Sequence, residues 1–181
     1  AGWRLGAPPP TSHVAEHRHV RQRQRVRVRI DPWSVCRTLA PSQPSRLAAH
    51  VCSNQSISNA GDVDGDGLDD ILVGANGSDA NGSNAGEACL FLGSSLVRSP
   101  TTDLSLADAD YSFIGENSNH SAGYSVSTAN DVDNDGLDDI LVGAPYATAY
   151  AGQTYLILGA SLSSTTEIDL GDADYVFVGE H

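Results

Sequence analysis

The 181-residue sequence contains no methionine and no lysine, and nine of its ten arginines precede Ser53. Residues 53–181 therefore set the single base Arg98 against 21 acids, which is the chain's 23 less Glu16 and Asp31. Such an acidic surface repels nucleic acid and anionic membranes, so no nucleic-acid partner is expected there, and it suits a divalent cation. No apolar run approaches the roughly 18 residues of a transmembrane helix, so no transmembrane segment is expected. The N-terminus lacks the charged, apolar, small-residue order of a signal peptide. With no initiator methionine, the chain is expected to be a fragment. Cys36, Cys52 and Cys89 lack metal-ligand spacing and are read as unpaired or buried thiols.

Residues 1–52 differ from the rest. They hold "APPP", "PSQPS" and "RHVRQRQRVRVRI", in which Arg21, Arg23, Arg25, Arg27 and Arg29 alternate with Gln or aliphatic residues. Period two places those arginines on one face of a strand, as an anion-binding arm would. The composition points instead to a disordered Arg/Pro-rich leader over 1–52.

From Ser53 the chain repeats itself. "DVDGDGLDDILVGA" (62–75) returns as "DVDNDGLDDILVGA" (131–144), "AGEACLFLG" (85–93) as "AGQTYLILG" (151–159), and "DADYSFIGE" (108–116) as "DADYVFVGE" (172–180). The offset shrinks from 69 residues at Asp62 and Asp131 to 64 at Asp108 and Asp172, through insertions in loop-like Gly/Asn/Ser/Pro stretches. The apolar runs are short, β-branched or aromatic, and bounded by Gly, Asn, Asp or Pro. Each unit, 53–120 and 121–181, thus reads as about four strands, the pattern of a propeller blade in an all-β fold.

Four carboxylates in one tight loop repel each other by roughly 1 kcal/mol per pair at 4 Å even in water. A cation offsets that cost. Asp62, Asp64, Asp66 and Asp70 stand at positions 1, 3, 5 and 9 of a nine-residue loop, and Asp131, Asp133, Asp135 and Asp139 repeat them. Gly67 and Gly136 at position 6 supply a sharp turn, which frees the carbonyls of Leu68 and Leu137 at position 7 to face the ion. Hard oxygen ligands predict two Ca²⁺ sites; zinc would want His or Cys. An EF-hand would carry a Glu at position 12, where Val73 and Val142 stand, and a helix would follow in place of "ILVGA". Asp69 and Asp138, at position 8, are expected to face solvent. A lone Asp-Gly turn would read as a hairpin without metal; two complete copies favour calcium.

These residues resemble FG-GAP repeats, the blades of the integrin α-subunit propeller and its bacterial relatives. The resemblance covers residues 53–181, with Gly143-Ala144-Pro145 as the "GAP" and "AGYSV" (122–126) where the family has Phe-Gly. The first unit departs further, with "SNQSI" (53–57) in the opening position and Asn76 in place of proline. The resemblance implies two four-stranded blades of a larger, seven-bladed propeller with calcium in loops on one face. Assembly with other chains and an open two-blade stack are the alternatives to a larger propeller.

The function expected is a non-enzymatic, calcium-stabilised, extracellular or cell-surface module for adhesion or for binding a protein or glycan. The alternative is an accessory propeller of a secreted or surface hydrolase, because FG-GAP repeats also accompany glycosylphosphatidylinositol-specific phospholipases. No catalytic residue is assigned. His50, His120 and His181 lack a nucleophile and an orienting acid at any usable spacing and are read as surface residues. Asp108, Asp110, Asp172 and Asp174 recur with the repeat and read as turn-formers, and Tyr111 and Tyr175 as packing between blades. Asn54, Asn76, Asn81 and Asn119 each open an N-x-Ser sequon. The repeats show no aromatic or Arg-rich recognition patch, so binding specificity is expected in the loops "NGSDANGSN" (76–84) and "VRSPTTDLS" (97–105).

Overall fold

The computed structural model describes residues 27–28, 56–98 and 103–180. The expected disordered leader and the strand of alternating arginines lie outside these residues, apart from Arg27–Val28. Cys36, Cys52, His50, His181, Asn54 and residues 99–102 also lie outside.

The strands in chain order are β1 (Arg27–Val28), β2 (Ile57–Gly61), β3 (Asp70–Ala75), β4 (Glu87–Phe91), β5 (Asp103–Leu104), β6 (Tyr111–Ile114), β7 (Ser125–Asn130), β8 (Asp139–Ala144), β9 (Gln153–Ile157), β10 (Glu167–Asp169) and β11 (Tyr175–Val178). Among the described residues, a short helix, α1 (Gly93–Arg98), follows β4, and a tight turn over Ala147–Tyr150, with Thr148 and Ala149 in the left-handed region, joins β8 to β9. The all-β expectation holds. Each repeat folds as an antiparallel meander, β2-β3-β4-β6 and β7-β8-β9-β11. The opening strand of the first unit forms despite its departure from the family pattern: Ile57, Ser58 and Asn59 pair with Val73, Leu72 and Ile71.

Both opening strands end in a bulge just before the acidic loop. The first is held by the Gly61 N–H donating to Asn59 Oδ1 and the second by the Asn130 N–H donating to Thr128 Oγ1. A bulge bends the strand and sharpens its twist, and here it turns the chain into the loop.

Alternation along the strands sends successive side chains to opposite faces. In the first blade, Leu72, Ala88, Leu90 and Phe113 join a core that also contains Ile140, Val142, Tyr155 and Ile157 of the second. The two sheets are therefore fastened face to face. Val73, Cys89 and Phe91 point the other way, into a smaller cluster with Leu106, against which Leu96 and Leu104 pack. Burying each large apolar side chain contributes roughly 1.5–3 kcal/mol, so the shared core is the main bond between repeats.

The second repeat also lends a strand to the first sheet. β10, from the second repeat, runs parallel to β6 of the first, pairing Glu167 with Ser112 and Ile168 with Phe113. The first sheet thereby has five strands. The equivalent segment of the first repeat, β5, pairs in parallel with β1. Tyr111 packs against the shared core and donates its hydroxyl to the Ser163 carbonyl at 3.2 Å, as expected of a residue between blades. Tyr175 corrects that expectation: it is exposed, with the rest of β11, because among the described residues nothing covers this face of the second sheet.

Candidate metal centre

The two acidic loops leave the bulges and enter β3 and β8. Their hydrogen bonds are nearly superimposable. Asp62 accepts the Asp66 N–H at Oδ1 (3.0 Å) and the Gly67 N–H at Oδ2 (2.9 Å). Asp131 accepts the Asp135 and Gly136 N–H groups in the same way, both at 3.0 Å. Asp64 and Asp133 accept the same Asp66 and Asp135 N–H groups through Oδ1. Gly67 and Gly136 take φ of +85° and +95°, the left-handed turn expected of position 6. The one residue that differs between the two motifs, Gly65 against Asn134, is also left-handed, at +74° and +64°. Asn tolerates that conformation better than most residues.

Asp70 and Asp139 are fully buried at the loop exits. Asp70 accepts the Gly93 N–H at Oδ1 (2.8 Å) and the Val63 N–H at Oδ2 (2.9 Å). Asp139 accepts those of Gly159 (2.9 Å) and Val132 (2.8 Å). Each carboxylate thus ties the loop to the turn after the third strand. Burial raises the Asp70 carboxyl above its ordinary range, the two N–H donors oppose this, and the negative charges of Asp64 and Asp62 add to the rise. A cation beside Asp70 would reverse that penalty.

The structure brings Asp62, Asp64 and Asp70 together, each offering an oxygen within 4.8 Å of the others, and does the same for Asp131, Asp133 and Asp139. Either trio could hold a metal ion. Asp66 and Asp135 stand outside these trios; their Oδ1 atoms accept the N–H of Leu68 and Leu137 at 2.8 Å. The donors are carboxylate oxygens with no His or Cys among them, which fits a hard cation rather than zinc.

Asp138 overturns its expected solvent orientation. Its Oδ2 accepts the Asp62 N–H at 2.9 Å, while its own N–H donates to the Asp62 carbonyl at 3.0 Å. Asp69, its counterpart, is exposed as expected. The "DADY" aspartates act in turns: Asp110 accepts the Leu92 N–H and the Ser95 hydroxyl, and Asp174 accepts those of Leu158 and Ser161. His120 is half-buried with Nδ1 unpartnered, rather than a free surface residue.

A tyrosine cluster corrects the expectation of no aromatic patch. At the opposite end of the second sheet from its acidic loop, Tyr124, Tyr146 and Tyr150 are exposed and meet edge to face, with ring centroids 6.1 and 5.9 Å apart. Thr148, Ala149 and Tyr150 all have positive φ, so the turn that presents the last ring carries backbone strain. Tyr124 lies 22 residues from Tyr146 in sequence (146 minus 124), and no periodicity announces their meeting.

Among the described residues, no helix is long and apolar enough to cross a membrane. No curated protein matches the chain. The FG-GAP repeat family matches residues 53–88 and 122–157, each match running from the opening strand through the acidic loop into the third strand. The chain therefore carries two FG-GAP repeats, folded as successive propeller-type blades.

Proposed function

We propose that this chain is a non-enzymatic, calcium-braced extracellular propeller module that binds a protein or glycan. The observation that carries the metal reading is the twofold convergence of three carboxylates at equivalent loop positions. Arg98 is the lone basic residue in 53–181, so side chains of the repeats offer little else to offset those charges. Ca²⁺ takes six to eight oxygen ligands. Asp62, Asp64 and Asp70 supply three in the first loop, with Asp66 and the Leu68 carbonyl completing the protein's share. Asp131, Asp133, Asp139, Asp135 and Leu137 do so in the second.

The ion would supply charge neutralisation and fix the loop between the first two strands of each blade. Adhesion or ligand binding would use the opposite end, where Tyr124, Tyr146 and Tyr150 present rings at low conformational cost. Residues 53–120 and 121–181 are the two blades in this reading.

Calorimetric Ca²⁺ titration and thermal melting of the full chain test the metal assignment. Extracellular modules bind calcium at roughly 10⁻⁴ to 10⁻³ M, and tenfold excess over Kd would add about 1.4 kcal/mol per site. D64N/D133N should abolish the calcium-dependent rise in Tm. A wild-type protein that shows neither heat nor a shift refutes the assignment.

A further inference from the structure

We propose that Asp138 couples the two acidic loops, so that an ion in the second raises the affinity of the first. This rests on the calcium reading above. Asp138 lies between Leu137 and Asp139, inside the second loop, yet its two hydrogen bonds go to the backbone of Asp62, the first residue of the other loop. One residue thus clamps both the N–H and the carbonyl of Asp62. The Asp62 carboxylate belongs to the first trio and also organises the Asp66 and Gly67 N–H groups.

The surrounding contacts are close enough to transmit a shift. A Cβ on Gly61 would stand 2.0 Å from Asp138 Oδ2, and Gly61 has φ of +82°. Leu137 Cδ2 would stand 2.8 Å from a Cβ on Gly65. Gly159, whose N–H binds Asp139, would place a Cβ within 2.9 Å of the Val63 carbonyl and 2.8 Å of the Asp138 carbonyl. The first loop therefore rests on the exit of the second. Burial follows the same asymmetry: Asp62 is half-buried and its counterpart Asp131 is exposed.

Filling the second loop fixes residues 131–139, including Asp138. That removes part of the entropy cost of ordering Asp62 when the first ion binds. Linkage makes the effect reciprocal, so an ion in the first loop tightens the second by the same factor.

The test is calorimetric Ca²⁺ titration of the full chain and of its loop variants. D133A leaves the first loop alone, and D64A leaves the second alone. The wild-type two-ion constant divided by the product of these single-loop constants is the coupling factor. It should be about 5 or more, the usual lower range for coupled sites. D138A removes the carboxylate bond but keeps the backbone one, so it should lower the factor, measured against its own single-loop variants; an unchanged factor overturns the role of the Asp138 carboxylate. D138N, whose amide oxygen still accepts the Asp62 N–H, should retain the wild-type factor, which separates the hydrogen bond from the charge. Calcium binding with a factor of one in the wild type overturns the coupling alone. Absence of any binding overturns the calcium reading and the coupling with it. If D138A fails to fold, the wild-type factor and D138N still decide.

Discussion

Phe113 and Phe177 occupy equivalent places in the two repeats, and replacing each by alanine should have very different costs. Phe113 is 0% exposed, sealed between the sheets, whereas Phe177 is 57% exposed on the open face. Deleting a fully buried phenylalanine ring costs about 3–5 kcal/mol through lost transfer energy and the cavity left behind. Phe177 keeps less than half of its area from water. Its loss should cost about 1 kcal/mol, from roughly 1.5–3 kcal/mol for full burial. At about 2–4 °C per kcal/mol for a chain of this size, F113A should melt about 10 °C lower and F177A only a few degrees lower. The assay is thermal unfolding at fixed protein and calcium concentration, with urea unfolding as a second measure. Equal losses in the two variants would refute the reasoning, because the shared core would then not be what distinguishes the two positions.

Burial pushes the Cys89 thiol up to about 12, the Glu87 charge adding to the rise and the Ser112 hydroxyl opposing it. In a C36S/C52S background, native Cys89 should resist a thiol reagent at pH 8 and react once the chain is unfolded; fast native labelling would contradict its burial. Glu87 is raised above its ordinary 4.5, first by burial and then by Glu167, against a bond from Ser78. Because the folded form holds its proton more tightly than the unfolded one, ionised Glu87 weakens folding above its folded pKa. That cost disappears as pH falls towards 4.5. E87Q should therefore be more stable than wild type in urea at pH 7, with the gain shrinking by pH 5; a gain that is unchanged or larger at pH 5 would be inconsistent with this sign.

The parts of the fold legible in sequence were those set by local chemistry. "DILVGA" predicts β3 and β8 residue for residue, because a glycine-bearing acidic turn precedes it and five small or β-favouring residues follow. Positions 1, 3 and 9 of each loop do converge. What stayed hidden depends on contacts between repeats. Asp138 meets Asp62 across 76 residues, and no pattern within either loop marks position 8 as different in the two copies. Tyr111 and Tyr175 share a motif, yet one is packed and the other bare, since among the described residues only the first sheet has a neighbour on that face. The three residues of β10 are too few to show alternation, so their pairing with β6 has no signature. The tyrosine cluster escaped because its members come from two separate corners of the second blade.

The strand that crosses between sheets changes where the chain can be cut. Severing it between residues 120 and 121 follows the sequence repeat, but it takes β10 away from β6 and bares the Ser112–Ile114 backbone. A naked edge of that kind invites pairing with other chains. A piece that keeps the first sheet whole would have to run from β2 through β10, residues 57–169, and so carry most of the second repeat along with it. Grafting or shuffling the first blade in the frame that the sequence suggests should therefore give sticky, poorly soluble products.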